Sequence, residues 1–451
     1  MTHRPPNRIG SQLRRAVPVR DDEVAATLWG FACLFCLMSG YYVLRPLRDA
    51  LGYGRASALP WLFLGTFLTM LAAVPLYGAL VARLPRRVFI PVCYRLFAVI
   101  LVLFWLARLA LRGAADQLAI NAFFVSVSVL NLFVVSVFWS HLADLLAPDQ
   151  AKRLFAFIAS GASLGALAGS AVTSLLVLRL GTTHMLLLPA VLFEVAVRCA
   201  QRVDRAVMIA ARTSGARATA TAASVRGEPT GGDLLAGVRL VLRSRYLQGI
   251  CLYLFFSTLN ATIVYFEQGR IVKAAYPDEA ARTEVLANVN LAVQLLAMLA
   301  QALLTARLLQ WIGVGGTLTI LPAAHFLGSL ALGAAPVLVV MLGYEVVRRA
   351  LSYGVATPAK EVLFTVVDRE TKYKSKNFID TVVFRGGDVV AGWLFDSLAN
   401  MGLGLATISF LAAPIGLLWS VNAWQLGRRQ QQLAALVPAA PPAPSAERAG
   451  S

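Results

Sequence analysis

Long runs of apolar residues, nearly free of charge, recur along this chain and restrict it to one kind of fold. Two of the clearest are 59–81 and 403–424. A helix rising about 1.5 Å per residue needs about 20 residues to cross a bilayer core, and these runs have that length. They are apolar on every side, whereas the strands of a transmembrane barrel alternate in polarity. Of 451 residues, 58% are hydrophobic and 14% charged, where soluble domains carry about a quarter charged. The chain reads as an all-α, polytopic membrane protein whose first partner is the lipid bilayer.

About twelve spans follow from length and hydropathy. The first six are 24–44, 59–81, 88–111, 118–140, 154–178 and 185–201. After a gap come 246–266, 285–306, 313–332, 337–355, 377–398 and 403–424. The gap, 202–245, is rich in Arg, Ala, Thr, Ser and Gly and reads as a polar linker with short surface helices at its ends. The chain thus divides into a tail at 1–23, a six-helix half at 24–201, the linker, a second six-helix half at 246–424, and a disordered tail at 425–451. No cleavable leader precedes the first span.

The net charge of +18 could suggest a nucleic-acid binder. Its distribution points instead to topology. With both termini on the same side, the segments on that side carry 27 Lys and Arg and the opposite loops carry 8. Positive residues stay cytoplasmic, so both termini are expected inside an inner (plasma) membrane and no nucleic acid is expected as a partner. All five Cys lie in apolar runs; Cys33 and Cys36 stand one turn apart, without the context of a redox motif, and read as packing residues.

Six plus six helices with a cytoplasmic linker resembles the layout of the major facilitator superfamily, whose halves are parallel repeats around a site near the midplane. An internal echo at an offset of 221 aligns Arg153 with Lys374, Phe157 with Phe378, Ile158 with Ile379 and Gly165 with Gly386. The loop from Gly78 to Arg87 is similar to that superfamily's gating loop, with Ala82 in place of its Asp. Gly161, Gly165 and Gly169 have the spacing of close helix packing.

Three stretches carry a more specific resemblance. They are Tyr41-Tyr42-Val43-Leu44-Arg45-Pro46-Leu47-Arg48-Asp49; Phe138-Trp139 followed by Gln150-Ala151-Lys152-Arg153-Leu154-Phe155; and Lys374 to Asp388, containing Ile379-Asp380-Thr381-Val382-Val383. Together they resemble, as a remote branch, the ATP:ADP antiporter family of bacteria and plastids, which exchanges nucleotides. The resemblance implies substrate contacts at Arg45 and Arg48; Asp49, Glu345, Asp380 and Asp388 are expected in charge pairs or coupling. Arg48 stands where that family has Lys and keeps the charge. Val127 stands where it has a Glu, and Asp388 where it has a Lys.

Charged groups at membrane depth cost several kcal/mol unless paired or wetted, which marks them as functional candidates. In the tenth span Glu345, Arg348 and Arg349 share a face by i,i+3 and i,i+4 spacing. In the eleventh, Arg385 and Asp388 are three apart beside Gly386-Gly387. Either these arginines bind an anionic solute, whose oxygens suit their planar forks, or they form an interhelix network, such as Arg349 with Asp388. Tyr344 either stacks on a substrate or packs, and Asn131, Asn260 and Gln294 either line a pathway or bond across helices.

Other charges read more plainly. Tyr41-Tyr42 suggests an interfacial aromatic belt, Pro46 an end to the first helix, and Asp49 a partner for Arg45. Arg95 either snorkels or faces the cavity; Glu194 and Arg198 suggest a local pair; Glu267 reads as interfacial. His184 and His325 have no metal-ligand company. No nucleophile, general base, metal, cofactor or ATP-hydrolysing motif is expected. The sequence therefore points to a carrier, not an enzyme, for a small organic anion, with nucleotides as the sharpest form of that reading; a monomer is favoured. A proton-coupled carrier of another solute and a non-transporting sensor or assembly protein are the rivals.

Overall fold

The computed structural model describes residues 19–83, 86–146, 148–213 and 234–436. Twelve long helices account for nearly all of it, and no strand occurs among the described residues. In the first half they are α1 (Val24–Gly54), α2 (Leu59–Arg83), α3 (Arg86–Ala110), α4 (Gly113–Leu145), α5 (Pro148–Met185) and α6 (Leu187–Thr213). In the second half α7 is Arg245–Ala275. Glu279–Ala300 begins α8, which continues to Trp311 through a π segment at Gln301–Thr305. Next come α9 (Gly313–Ala334) and α10, which starts at Leu338–Leu351 and runs through a π segment, Ser352–Ala356, to Leu363. Finally α11 runs from Arg369 to Asn400 with a π segment at Ile379–Val383, and α12 is Leu405–Leu436.

Nine of the described helical stretches are long and apolar enough to cross a membrane. Their apolar side chains also face outward: Leu68, Leu103, Leu175, Leu303 and Leu418 are all more than half exposed. A water-soluble protein would bury such a belt; a bilayer is the solvent that suits it.

Small residues bring backbones together inside each half. On α5, a Cβ at Gly165 would lie 2.4 Å from the Phe35 carbonyl oxygen and one at Gly169 2.3 Å from that of Ser39, so α5 lies directly on α1. Ser39 Oγ donates to the Gly165 carbonyl across the same seam at 3.0 Å. The cysteines serve the neighbouring seam, Cys33 Sγ donating to the Ala196 carbonyl of α6 at 3.4 Å. At the start of α1, Glu23 accepts from both Arg153 Nη atoms of α5, at 2.8 and 3.0 Å, and from Gln150. Nearby, Trp139 packs edge-to-face against Phe138 and at a tilt against Phe155, so the second resembling stretch clasps α4 to α5.

The structure corrects several sequence expectations. Pro46 does not end α1, which continues to Gly54. A proline inside a helix costs about 3 kcal/mol, but Leu44, Leu47 and Leu51 are buried around it and tertiary packing holds the helix straight through. Tyr41 and Tyr42 therefore lie mid-helix inside the protein, not in an interfacial belt. The last turns of α12 take residues 425–436 that the sequence assigned to the tail. The short connection 179–184 is a break at Gly181, whose φ of 74° only glycine adopts freely. In the linker, α6 runs on to Thr213 and a short helix covers Leu234–Arg243. Residues 214–233 and 437–451, and the side chains of the loop from Gly78 to Arg87, lie outside the described residues.

Candidate functional site

Helices α1, α2, α4, α7, α10 and α11 surround a cavity of about 240 Å³ between the halves. Arg45, Arg48, Arg348, Arg349 and Arg385 all line it, together with Glu345 and Asp388. The helical spacing seen in the sequence brings the charges of α10 to one face; only the packing of six helices brings α1 and α11 to the same chamber. Phe63, Phe124, Tyr265 and Phe384 supply apolar and aromatic wall, and Ser128, Thr262, Ser352 and Tyr353 supply hydroxyls.

The charges are arranged unequally. Arg48 donates from Nε and Nη2 to Asp49 Oδ1 at 3.0 and 2.6 Å, and the same oxygen accepts from the Tyr265 hydroxyl at 3.0 Å. Arg348 donates from Nε and Nη2 to Glu345 Oε2 at 3.0 and 2.8 Å. Arg385 Nη1 donates to Asp388 Oδ2 at 3.3 Å, and Thr262 donates to the other oxygen at 2.8 Å. Each of these three arginines thus has its own carboxylate.

Arg45 and Arg349 do not. Arg45 Nη1 donates to the Tyr353 hydroxyl at 3.1 Å. Arg349 Nη2 donates to Asn290 Oδ1 at 2.7 Å, and its Nε stands 3.8 Å from the Glu345 carboxylate that Arg348 already engages. The Nε of each is buried without a hydrogen-bond partner. Buried donors are nearly always satisfied, so an orphaned pair flanking one cavity calls for an acceptor. The chamber therefore carries about two unmatched positive charges at the end formed by Arg45, Arg349 and Tyr353. Tyr353 sits in the π segment of α10, a distortion that occurs often at functional positions.

Several sequence candidates fall elsewhere. Tyr344 is turned away from the cavity and its hydroxyl meets His325 of α9. Asn131 does not line the cavity. Asp49 pairs with Arg48, not Arg45, and lies just behind the wall. Asp388 is taken by Arg385, so an Arg349–Asp388 bridge does not form. The side chain of Asp380 lies outside the described residues. Glu267 is not interfacial: at 1% exposure it is buried within α7, with Ser409 of α12 donating to it at 2.5 Å. Arg95 does not reach the cavity; it meets Glu194 on the outside of the bundle at 3.0 Å.

The sequence missed Tyr353, Tyr265, Thr262 and Asn290, because single hydroxyls and amides inside apolar runs look alike until the helices are packed. It also missed how the mouth at the far end of α1 is closed. There Arg108 of α3 bridges Asp116 at 2.8 Å and Glu279 of the other half at 3.1 Å. Lys273 Nζ donates to the Gly54 carbonyl at 2.9 Å, Tyr53 to Gln268 at 2.8 Å, and Ser174 to Asn288 at 2.6 Å. Thr182 adds a bond to Glu279, and Trp61 packs on Trp393. At the end where α1 begins, the ion pairs Glu23–Arg153 and Lys376–Glu361 each join elements of the same half.

Solved structures share this architecture. A POT family transporter in complex with a thioalcohol-conjugated peptide superposes with a TM-score of 0.60 at 12% identity, over 90% of this chain and 96% of its own. The proton:xylose symporter XylE, a major facilitator superfamily protein, gives 0.57 at 14% identity over 92% and 98%. The nucleoside transporter NupG gives 0.55 at 13% identity over 92% and 99%. No family model and no curated protein matches the chain. At these identities the likeness establishes the fold: an all-α, multi-pass membrane protein of the major facilitator type, with two six-helix halves.

Proposed function

We propose that this protein is an alternating-access carrier for a small organic anion bearing one or two negative charges. The observation that carries this reading is the excess positive charge of Arg45 and Arg349, the second only sharing Glu345 with Arg348, held with orphaned donors in a chamber between two halves. A ligand phosphate or carboxylate group would satisfy both forks in the bidentate manner arginine favours. The aromatic wall of Phe63, Phe124 and Tyr265 would take the ligand's apolar part.

Nucleotide exchange is the finer reading. The resembling stretches support it by supplying Arg45, Arg48 and Arg385 to the cavity, and the aromatic wall suits a base. Size argues for the smaller members of that class. Sites for drug-sized ligands run about 300–1,000 Å³, so a chamber of about 240 Å³ suits a monophosphate or small carboxylate better than a triphosphate. In the proposed orientation, termini cytoplasmic, the closed mouth faces outward and the chamber serves the inner side.

Thermal shift of the purified protein against nucleotides, sugar phosphates and carboxylates tests the reading, because a ligand that binds only the native state raises the melting point. Flux of the best ligand in proteoliposomes follows. Uptake that collapses with the pH gradient but ignores every anion favours the proton-coupled rival, in which Glu345 or Asp388 titrates. Absence of any flux, with Arg45 and Arg349 freely replaceable, favours a non-transporting protein.

A further inference from the structure

We propose that the outward face shared by α3 and α6 is a seat for an anionic phospholipid headgroup. Glu194 of α6 accepts from Arg95 of α3 at 3.0 and 3.2 Å and from Arg198, one turn on, at 3.3 Å. The side chains of Arg95, Glu194 and Arg198 are 51%, 34% and 75% exposed, so the cluster lies on the outside of the bundle. Arg202 and Arg205 continue the same stripe of α6, and the Arg202 guanidinium stacks on the Trp29 ring at 5.4 Å.

The stripe is bounded by lipid-type surface. Val191 and Ile209, at its two ends, are 60% and 64% exposed. A partly exposed tryptophan, Trp29 at 37%, beside an arginine is typical of the headgroup level, where an amphipathic ring sits between hydrocarbon and water. Four guanidiniums against one carboxylate leave a net +3 on this face. Arg198 uses only Nε in the cluster, which leaves its fork open. Charge facing lipid is costly unless matched, and a basic stripe on the bundle's outer surface is matched by the phosphate of an anionic lipid. A second copy of the chain is disfavoured as the cover, because a two-fold interface would set this positive face against itself.

The test uses the full-length protein in nanodiscs of phosphatidylcholine alone or with a quarter of the lipid as phosphatidylglycerol, read by melting point and by native mass spectrometry of retained lipid. Phosphatidylglycerol should raise the melting point and be retained preferentially. The double variant Arg198→Ala/Arg202→Ala should lose that preference by about tenfold or more. Glu194→Gln removes the one competing anion and should strengthen retention, which gives a readout even if the double variant does not fold. A preference unchanged in the double variant, retention unchanged or weakened by Glu194→Gln, or the same stabilisation from inorganic phosphate would overturn the proposal. So would a dimer formed through this face in detergent free of anionic lipid.

Discussion

Arg45 on α1 and Tyr353 on α10 meet across the two halves, the guanidinium donating to the phenol oxygen at 3.1 Å. If the halves rock against each other as the proposed carrier requires, a bond that spans them beside the cavity must change when they move. Arg349 lies over the same ring, 5.8 Å from its centre, so Tyr353 touches both cations that lack a carboxylate of their own.

Replacing either cation should therefore remove ligand binding. Truncating one partner of a buried, charge-assisted contact costs about 2–5 kcal/mol, so Arg349→Ala and Arg45→Ala should each weaken anion affinity by roughly thirtyfold or more. Arg349→Lys should recover only part of this, since a point charge cannot fork. Ligand-induced melting shifts and proteoliposome uptake check both expectations; wild-type affinity in either alanine variant would remove the basis of the anion reading.

The bridge from Arg108 to Glu279 holds the mouth at the far end of α1. Partly exposed ion pairs contribute about 0–1 kcal/mol, so Glu279→Gln should shift the balance towards an open mouth by up to about fivefold. Electron-spin distances between labels at Leu118 and Ala275, on opposite sides of that mouth, should show a longer component growing in the variant.

Gly169 and Gly343 form a contrasting pair. A methyl at 169 meets the Ser39 backbone at 2.3 Å, while at 343 nothing lies within 4 Å. Gly169→Ala should cost about 1–3 kcal/mol through overpacking, and Gly343→Ala should be neutral or stabilising, as alanine is the better helix former. Thermal melts of the two variants, side by side, decide it.

Glu23 supplies a pH test outside the membrane spans. Burial pushes its carboxyl up, but hydrogen bonds from Arg153, the Arg20 amide and Gln150 outweigh this and hold it below the ordinary glutamate value. A lowered folded-state value means stability that is present above the ordinary value and lost as pH falls through the lowered one. Glu23→Gln should therefore melt below wild type at neutral pH, and the gap should close as the pH falls through the lowered glutamate value. A gap that widens on acidification would contradict the arrangement.

Much of this was legible beforehand for physical reasons. In lipid every backbone group must be bonded within its own helix, so apolar length alone placed twelve helices. Helical spacing likewise put Glu345 beside Arg348 and Arg349, and Arg385 beside Asp388. The first span runs on past Pro46 because a tertiary contact overrides the local rule. Glu267 was misjudged because its apparent place at a span's end vanished once α7 ran on to Ala275.

What the amino-acid order determined by itself is the set of helices and the charges each one carries, since both follow from interactions within a few residues. What only the tertiary structure decided is which charges are neutralised. Arg48, Arg348 and Arg385 find carboxylates on their own helices, whereas the partners of Arg45 and Arg349, Tyr353 and Asn290, lie on other elements far along the chain or across a helix pair. Electrostatic balance depends on distance in space, and no pattern of spacing within one helix reports it.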